Sequence, residues 1–388
     1  MKKNIVICSD GTGNTFDKSV SNVTRLIRLL ALDSAKQIVF YDQGIGTNAK
    51  RLESVKSYCD AIHGEKALFT LPGPREGRFY TGIATRVLGL LGGYGLKANV
   101  NEMYCTLSQY CGADDDIFLF GFSRGAFTVR ALAGLLYRCG LLDRNVSNDT
   151  ARFNDCFNEA WKLYQPMQED QVEVASFRRR QGAEHDCEIH FLGLWDTVKS
   201  YGGLRPVILP HLRHNPMVRK VRHALALDER RSWFNATTWG QLDSDKCGAK
   251  LRLKAKDLSK YESQDIDEVW FRGCHSDVGG GDVQKTTAEV ALRWMLREAH
   301  AAGLLLNCEG ERFLRMDDPT QPVEIHESLR RMWWLTEILP RWEIDNSGTY
   351  PVRKFAWGRT GRRTPDRLTR NGKISLHKTV GLCSTKNP

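Results

Sequence analysis

No segment of the 388-residue chain approaches the roughly 20 consecutive apolar residues that a membrane-spanning helix requires, because the apolar runs are short and broken by Gly, Arg or Lys. A helical membrane span is therefore not expected. Met1-Lys2-Lys3 resembles the basic head of a signal peptide, but the apolar run from Ile5 to Cys8 stops at Asp10, short of the about 7–15 residues of an export core. These residues are read as a first strand. The location expected is cytoplasmic, or exported without a cleavable signal. The chain also lacks internal repeats and low-complexity tracts. Its 11 cysteines are odd in number and no two have C-x-x-C spacing, which argues against a structural zinc site or a disulfide framework and for reduced thiols.

A composition of 41% hydrophobic and 26% charged residues is that of an ordinary globular protein with a large core. Short β-branched and aromatic runs at 4–9, 37–41, 116–120, 188–194 and 268–272 alternate with helical patterns at 23–32, from Phe127 to Gly140, and from a capping-box start at Thr286 to Gly303. Near-continuous apolar strands alternating with helices predict an α/β fold, a mostly parallel sheet covered on both faces. The alternation is lost from about 306. Residues 1–305 are therefore expected to form the catalytic domain and 306–388 a Trp-rich, then basic, accessory segment.

Gly121-Phe122-Ser123-Arg124-Gly125 follows a strand and precedes a helix, the context that makes G-x-S-x-G a nucleophile elbow. A serine nucleophile needs a base to take its proton and a carboxylate to orient that base, in the chain order Ser, acid, His. Of ten histidines, only His275 follows Ser123 and lies just beyond a buried strand, in a glycine-rich turn. His211, His214 and His223 fall in what reads as a polar helical stretch. Asp196 fits the acid best because it ends the intervening strand. Asp228 competes, but reads as a helical residue paired with Arg230 or Arg231. Asp277, with Gly279 and Gly280, is expected to support the turn after His275.

An oxyanion hole would use the N–H of Arg124 and a second from Gly11 or Thr12, in the Gly-rich loop after the first strand. Rival readings of that loop fail. A dinucleotide fingerprint lacks its third glycine, since Phe16 stands there, and an aspartyl phosphatase opening has Cys8 in place of its first Asp. No cofactor and no metal are expected: Asp277 and Asp282 are two carboxylates against the about 6–8 oxygens that Ca²⁺ takes.

The motifs S-D-G-T-G-N at 9–14, Y-D-Q-G-I-G-T at 41–47, F-G-F-S-R-G-A-F at 120–127, A-L-D-E-R-R at 226–231, W-F-R-G-C-H-S-D-V-G-G-G at 270–281 and R-W-M at 293–295 together resemble one family. It is the bacterial α/β-hydrolase domain, long of unknown function, that includes the first class of type VI secretion phospholipase effectors. The resemblance runs from Ser9 to about Gly303. It implies a Ser-Asp-His hydrolase of lipid esters and carries Ser123 and His275 over by motif, while Asp196 rests on chain order.

Of the net charge of +10, the tail at 351–388 carries +9. Such a tail suits an anionic surface, phospholipid headgroups or nucleic-acid phosphate, which composition does not separate, or has no dedicated partner. No nucleic-acid motif accompanies it, so nucleic acid is not the expected partner. The apolar, Gly-rich stretch at 83–96 reads as a lid or as a packed helix, and Arg330 to Leu335 as an interfacial helix or as core tryptophans flanked by arginines. The other function classes are a non-catalytic interaction protein built on a hydrolase fold and a nucleic-acid binder acting through the basic tail. No oligomeric state follows from the pattern.

Overall fold

The computed structural model describes residues 2–11, 20–43, 68–71, 95–166, 170–183, 188–198, 201–202, 205–239, 263–281, 286–319, 325–329, 341–344, 351–354, 363 and 375–382. Its centre is an eight-stranded sheet of β1 (Asn4–Ser9), β2 (Gln37–Asp42), β3 (Leu68–Thr70), β4 (Asp116–Phe122), β5 (Ile189–Trp195), β6 (Val218–Ala226), β7 (Asp265–Phe271) and β8 (Ser375–Leu376). The order across the sheet is β8-β7-β6-β5-β4-β1-β2-β3, and every neighbouring pair is parallel. Strand order therefore reverses between β1 and β4, and at such a switch point the loops leaving the strands part to form a crevice.

The unbroken apolar strands follow from burial on both faces. In β1, Ile5 and Ile7 join one hydrophobic cluster while Val6 and Cys8 join the other, and β4 divides the same way, Ile117 and Leu119 against Phe118 and Phe120. The first cluster is covered by α2 (Leu96–Tyr110), α3 (Arg124–Cys139) and α4 (Thr150–Tyr164). The second is covered by α1 (Asn22–Leu29), capped by the Ser21 hydroxyl, and by α7 (Thr286–Ala301). Between these come α5 (Gln171–Arg180) and the single turn α6 (His275–Gly279), and α8 (Cys308–Arg315) follows α7.

The stretch read as a polar helix holds a central strand, β6, so His223 lies in the sheet. Its V-R-K-V-R-H-A-L-A pattern hides the strand because its polar residues are partnered from afar. The Arg222 guanidinium bridges Asp265 and Glu298, and His223 pairs with Glu268 at 2.8 Å. Chain beyond 305 also packs into this unit. Ser375 and Leu376 add β8 beside β7, with His377 stacked on Phe271, and Asp318 pairs with Arg293 of α7 at 2.9 Å. Residues 83–94 and 330–335 lie outside the described residues.

Candidate active site

The sheet's carboxyl-terminal edge is built by three chain reversals. The first follows β4. Ser123 has φ +58°, a conformation L-residues seldom adopt, and its N–H bonds the Trp195 carbonyl at 3.0 Å. The turn is tight because α3 is pressed onto β1: a Cβ at Gly125 would fall on the Ser9 carbonyl oxygen. The hydroxyl is thus presented at the N-terminus of a 16-residue helix, whose first N–H groups have no intrahelical acceptor.

The second reversal follows β7 and carries His275 as the first residue of α6. The Asp228 carboxylate accepts from the Gly273 N–H and Arg272 Nε, both at 2.7 Å, and Asp277 accepts from the Cys274 N–H at 2.9 Å. Asp228 is therefore a loop residue bracing this turn, and its cation is Arg272, not Arg230 or Arg231. Gly280, with φ +81°, closes α6 through its N–H on the Ser276 carbonyl. A Cβ at Gly279 would enter the ring of Phe122, which packs on the His275 imidazole with centroids 4.6 Å apart. Gly279→Ala is accordingly expected to cost about 1–3 kcal/mol in denaturant unfolding and to lower turnover with it. Unchanged stability and rate would show that the Phe122 ring has room to move.

The third reversal follows β5. Asp196 is fully buried at φ +39°, with its N–H on the Ala224 carbonyl. Its Oδ2 lies 2.5 Å from His275 Nδ1, and His275 Nε2 lies 2.8 Å from Ser123 Oγ. The carboxylate can only accept, so Nδ1 carries the ring proton and Nε2 is left to accept from the serine hydroxyl. Burial, the larger effect, outweighs Asp196 and pushes the His275 imidazole below its ordinary range, favouring the neutral base. Burial alone would raise the Asp196 carboxyl, but the Arg363 guanidinium and His275 hold it far below the usual carboxylate range.

Three groups around this line were not singled out in the sequence. Glu229 accepts from the His275 N–H at 3.1 Å and from the Arg231 guanidinium; the Arg231 bonds overcome burial and hold its carboxyl down to about 2. It adjoins Asp228 in the A-L-D-E-R-R motif, and that motif was the signal available. Arg363 grips Asp196 with both Nη atoms. Nothing separated it from the other cations of the tail. Asp10 is buried and accepts from Ser21 Oγ at 2.7 Å and Tyr41 Oη at 3.1 Å.

Asp10 also takes the Gly11 N–H at 2.7 Å, so the Gly11 donor is occupied by the preceding side chain and does not face a substrate oxygen in this arrangement. Thr12 lies outside the described residues. Arg124, opening α3 beside Ser123, stands where the elbow donor was expected. Both Asp277 oxygens are engaged, by Cys274, His326 N–H and His326 Nδ1. Among the described residues no group of three or more His, Cys, Asp or Glu could hold a metal ion.

Residues 3–298 match a family model described as type VI secretion system phospholipase effector Tle1-like, catalytic domain. The chain belongs to this family. An uncharacterized protein of Saccharomyces cerevisiae is 30% identical over 243 residues, which are 60% of this chain and 32% of that protein. Among solved structures, an uncharacterized protein from Pseudomonas aeruginosa is similar at 18% identity and TM-score 0.41, over 81% of this chain and 49% of that one. The Tle1 effector bound to the VgrG spike of the type VI secretion system is similar at 19% identity and TM-score 0.29, over 73% and 52%. The chain thus spans about a third of the yeast relative and about half of the solved chains. The Tle1-like match ends near the C-terminus of α7, so α8, β8 and Arg363 lie outside it.

Proposed function

We propose that this Tle1-like domain is a serine hydrolase of carboxylic esters, and that its substrates are the acyl esters of phospholipids. The unbroken line from Ser123 Oγ through His275 to Asp196, on a strained elbow at the switch point, carries the reading. Ser123 Oγ attacks the ester carbonyl as His275 Nε2 takes its proton. The tetrahedral oxyanion is met by the Arg124 N–H at the positive end of α3. Collapse expels the alcohol, which receives the proton from His275, and leaves an acyl-serine. Water, deprotonated by the same nitrogen, then releases the fatty acid and restores Ser123. Asp196 keeps the imidazole in the required tautomer and stabilises the imidazolium of each transition state.

Phospholipid as the substrate class is supported by the family and by the basic segment 351–388, whose cations other than the buried Arg363 and the Asp318-paired Lys378 contribute ~1 kcal/mol of attraction each when near anionic lipid, falling off within a Debye length. The test is labelling by a fluorophosphonate probe, followed by assay on a soluble short-chain ester and on phosphatidylcholine vesicles with and without phosphatidylserine. Labelling at Ser123, fatty-acid release from vesicles, and a preference for phosphatidylserine that salt suppresses are the expected results. Hydrolysis of the soluble ester alone would remove phospholipid as the substrate, and failure to label would remove the hydrolase reading. A vesicle rate independent of lipid charge and salt would remove the role given to the tail.

A further inference from the structure

We propose that Arg363 is a positioning residue of the triad: its guanidinium, brought in from the chain beyond α8, fixes the Asp196 carboxylate and sets the pH range in which His275 is a free base. The inference rests on the triad reading above. Nη1 bonds Asp196 Oδ1 at 2.5 Å and the Ala226 carbonyl at 2.7 Å, and Nη2 bonds Asp196 Oδ2 at 3.0 Å and the Phe234 carbonyl at 2.5 Å. One planar cation therefore ties together the end of β5, the end of β6 and the loop whose Phe234 ring lies against His275, centroids 5.1 Å apart. The Arg363 and Asp196 side chains are 3% and 0% exposed, so water does not replace these bonds.

The ordering role follows from the shape of the carboxylate. With Oδ1 held by Arg363 and the Ala226 N–H, the carboxylate plane is set and Oδ2 faces His275 Nδ1. The electrostatic role follows from counting charges. The groups facing the His275–Asp196 pair are Arg363, Glu229 on the His275 N–H with its partner Arg231, and, on β6, His223 with its partners Glu268 and Arg130. Three carboxylates, Asp196, Glu229 and the more distant Glu268, press a proton onto the imidazole, and three guanidinium groups, Arg363, Arg231 and the more distant Arg130, oppose it. Removing Arg363 leaves a net negative charge beside a buried ring, and an uncompensated charge at this range raises proton affinity by about 1–3 pH units. Arg363 lies outside the residues 3–298 matched by the family model, so in this chain the segment beyond 305 completes a site whose other members lie within that match.

The experiment measures kcat and KM on a soluble short-chain ester across about pH 5–9 for the full chain, Arg363→Gln, Arg363→Lys and, as reference, Asp196→Asn. In Arg363→Gln the acid limb of kcat/KM is expected to move up by about one unit or more and kcat to fall at least tenfold, with part of it restored by added guanidinium ion. Arg363→Lys keeps the charge without the two-point grip, so its acid limb stays in place while kcat falls about tenfold with KM within about twofold. Wild-type kcat and acid limb in Arg363→Gln would overturn the proposal. If circular dichroism shows that variant unfolded, Arg363→Lys decides: a kcat-only loss supports the proposal, and wild-type kcat or a loss confined to KM overturns it. Wild-type turnover in Asp196→Asn would instead remove the triad reading, and the proposal with it.

Discussion

Replacing Ser123 with Ala is expected to lower kcat on any ester by about 10⁴-fold or more while leaving the fold unchanged. Ala keeps the Cβ, so the backbone strain at φ +58° is no greater than in the native chain, and the elbow remains tied to β5 through its main-chain N–H on Trp195. Only the hydroxyl that bonds His275 Nε2 is lost. The imidazole then has no nucleophile to deprotonate, and the residual rate is what the helix terminus and substrate binding supply to attack by water. Single-turnover assays with a chromogenic ester, read beside the melting temperature, check both halves of the expectation. Hydrolysis near the native rate in a folded Ala variant would exclude Ser123 as nucleophile.

The second large effect separates two aspartates that chain order alone left in competition. Asp196→Asn is expected to cost about 10³–10⁴ in kcat, because an amide cannot fix the Nδ1–H tautomer or stabilise the imidazolium. It also leaves the Arg363 guanidinium buried without its anion, and breaking such a pair costs about 3–5 kcal/mol, so the melting temperature should fall with the activity. Asp228→Asn should cost less than about tenfold: Asp228 is 28% exposed, makes no contact with the His275 ring among its observed bonds, and acts through Arg272 and the Gly273 N–H. Steady-state kinetics on both variants, each checked for folding, decides between them. Near-native activity in Asp196→Asn with inactivity in Asp228→Asn would transfer the acid's role.

Much of this architecture is legible one element at a time. Both faces of β1 and β4 are buried, so their apolar runs are continuous and stand out in the chain, and G-x-S-x-G is compact enough that strand, turn and helix are all seen within a few residues of Ser123. The ordering of Ser123, Asp196 and His275 is also sequence information, because a parallel sheet brings the ends of successive strands to one edge whatever their separation along the chain. What the sequence could not determine is where polar residues find their partners. The central strand β6 was hidden by Lys220, Arg222 and His223, whose charges read as solvent-facing until Asp265, Glu298 and Glu268 are brought against them. Asp10 closes on the Gly11 N–H through a local bond that composition does not reveal. Arg363 lies 167 positions from Asp196 and is one of ten cations in a basic tail. Charge is a property of each residue alone, whereas burial of that charge against one carboxylate is a property of the packed sheet, and only tertiary structure decides it.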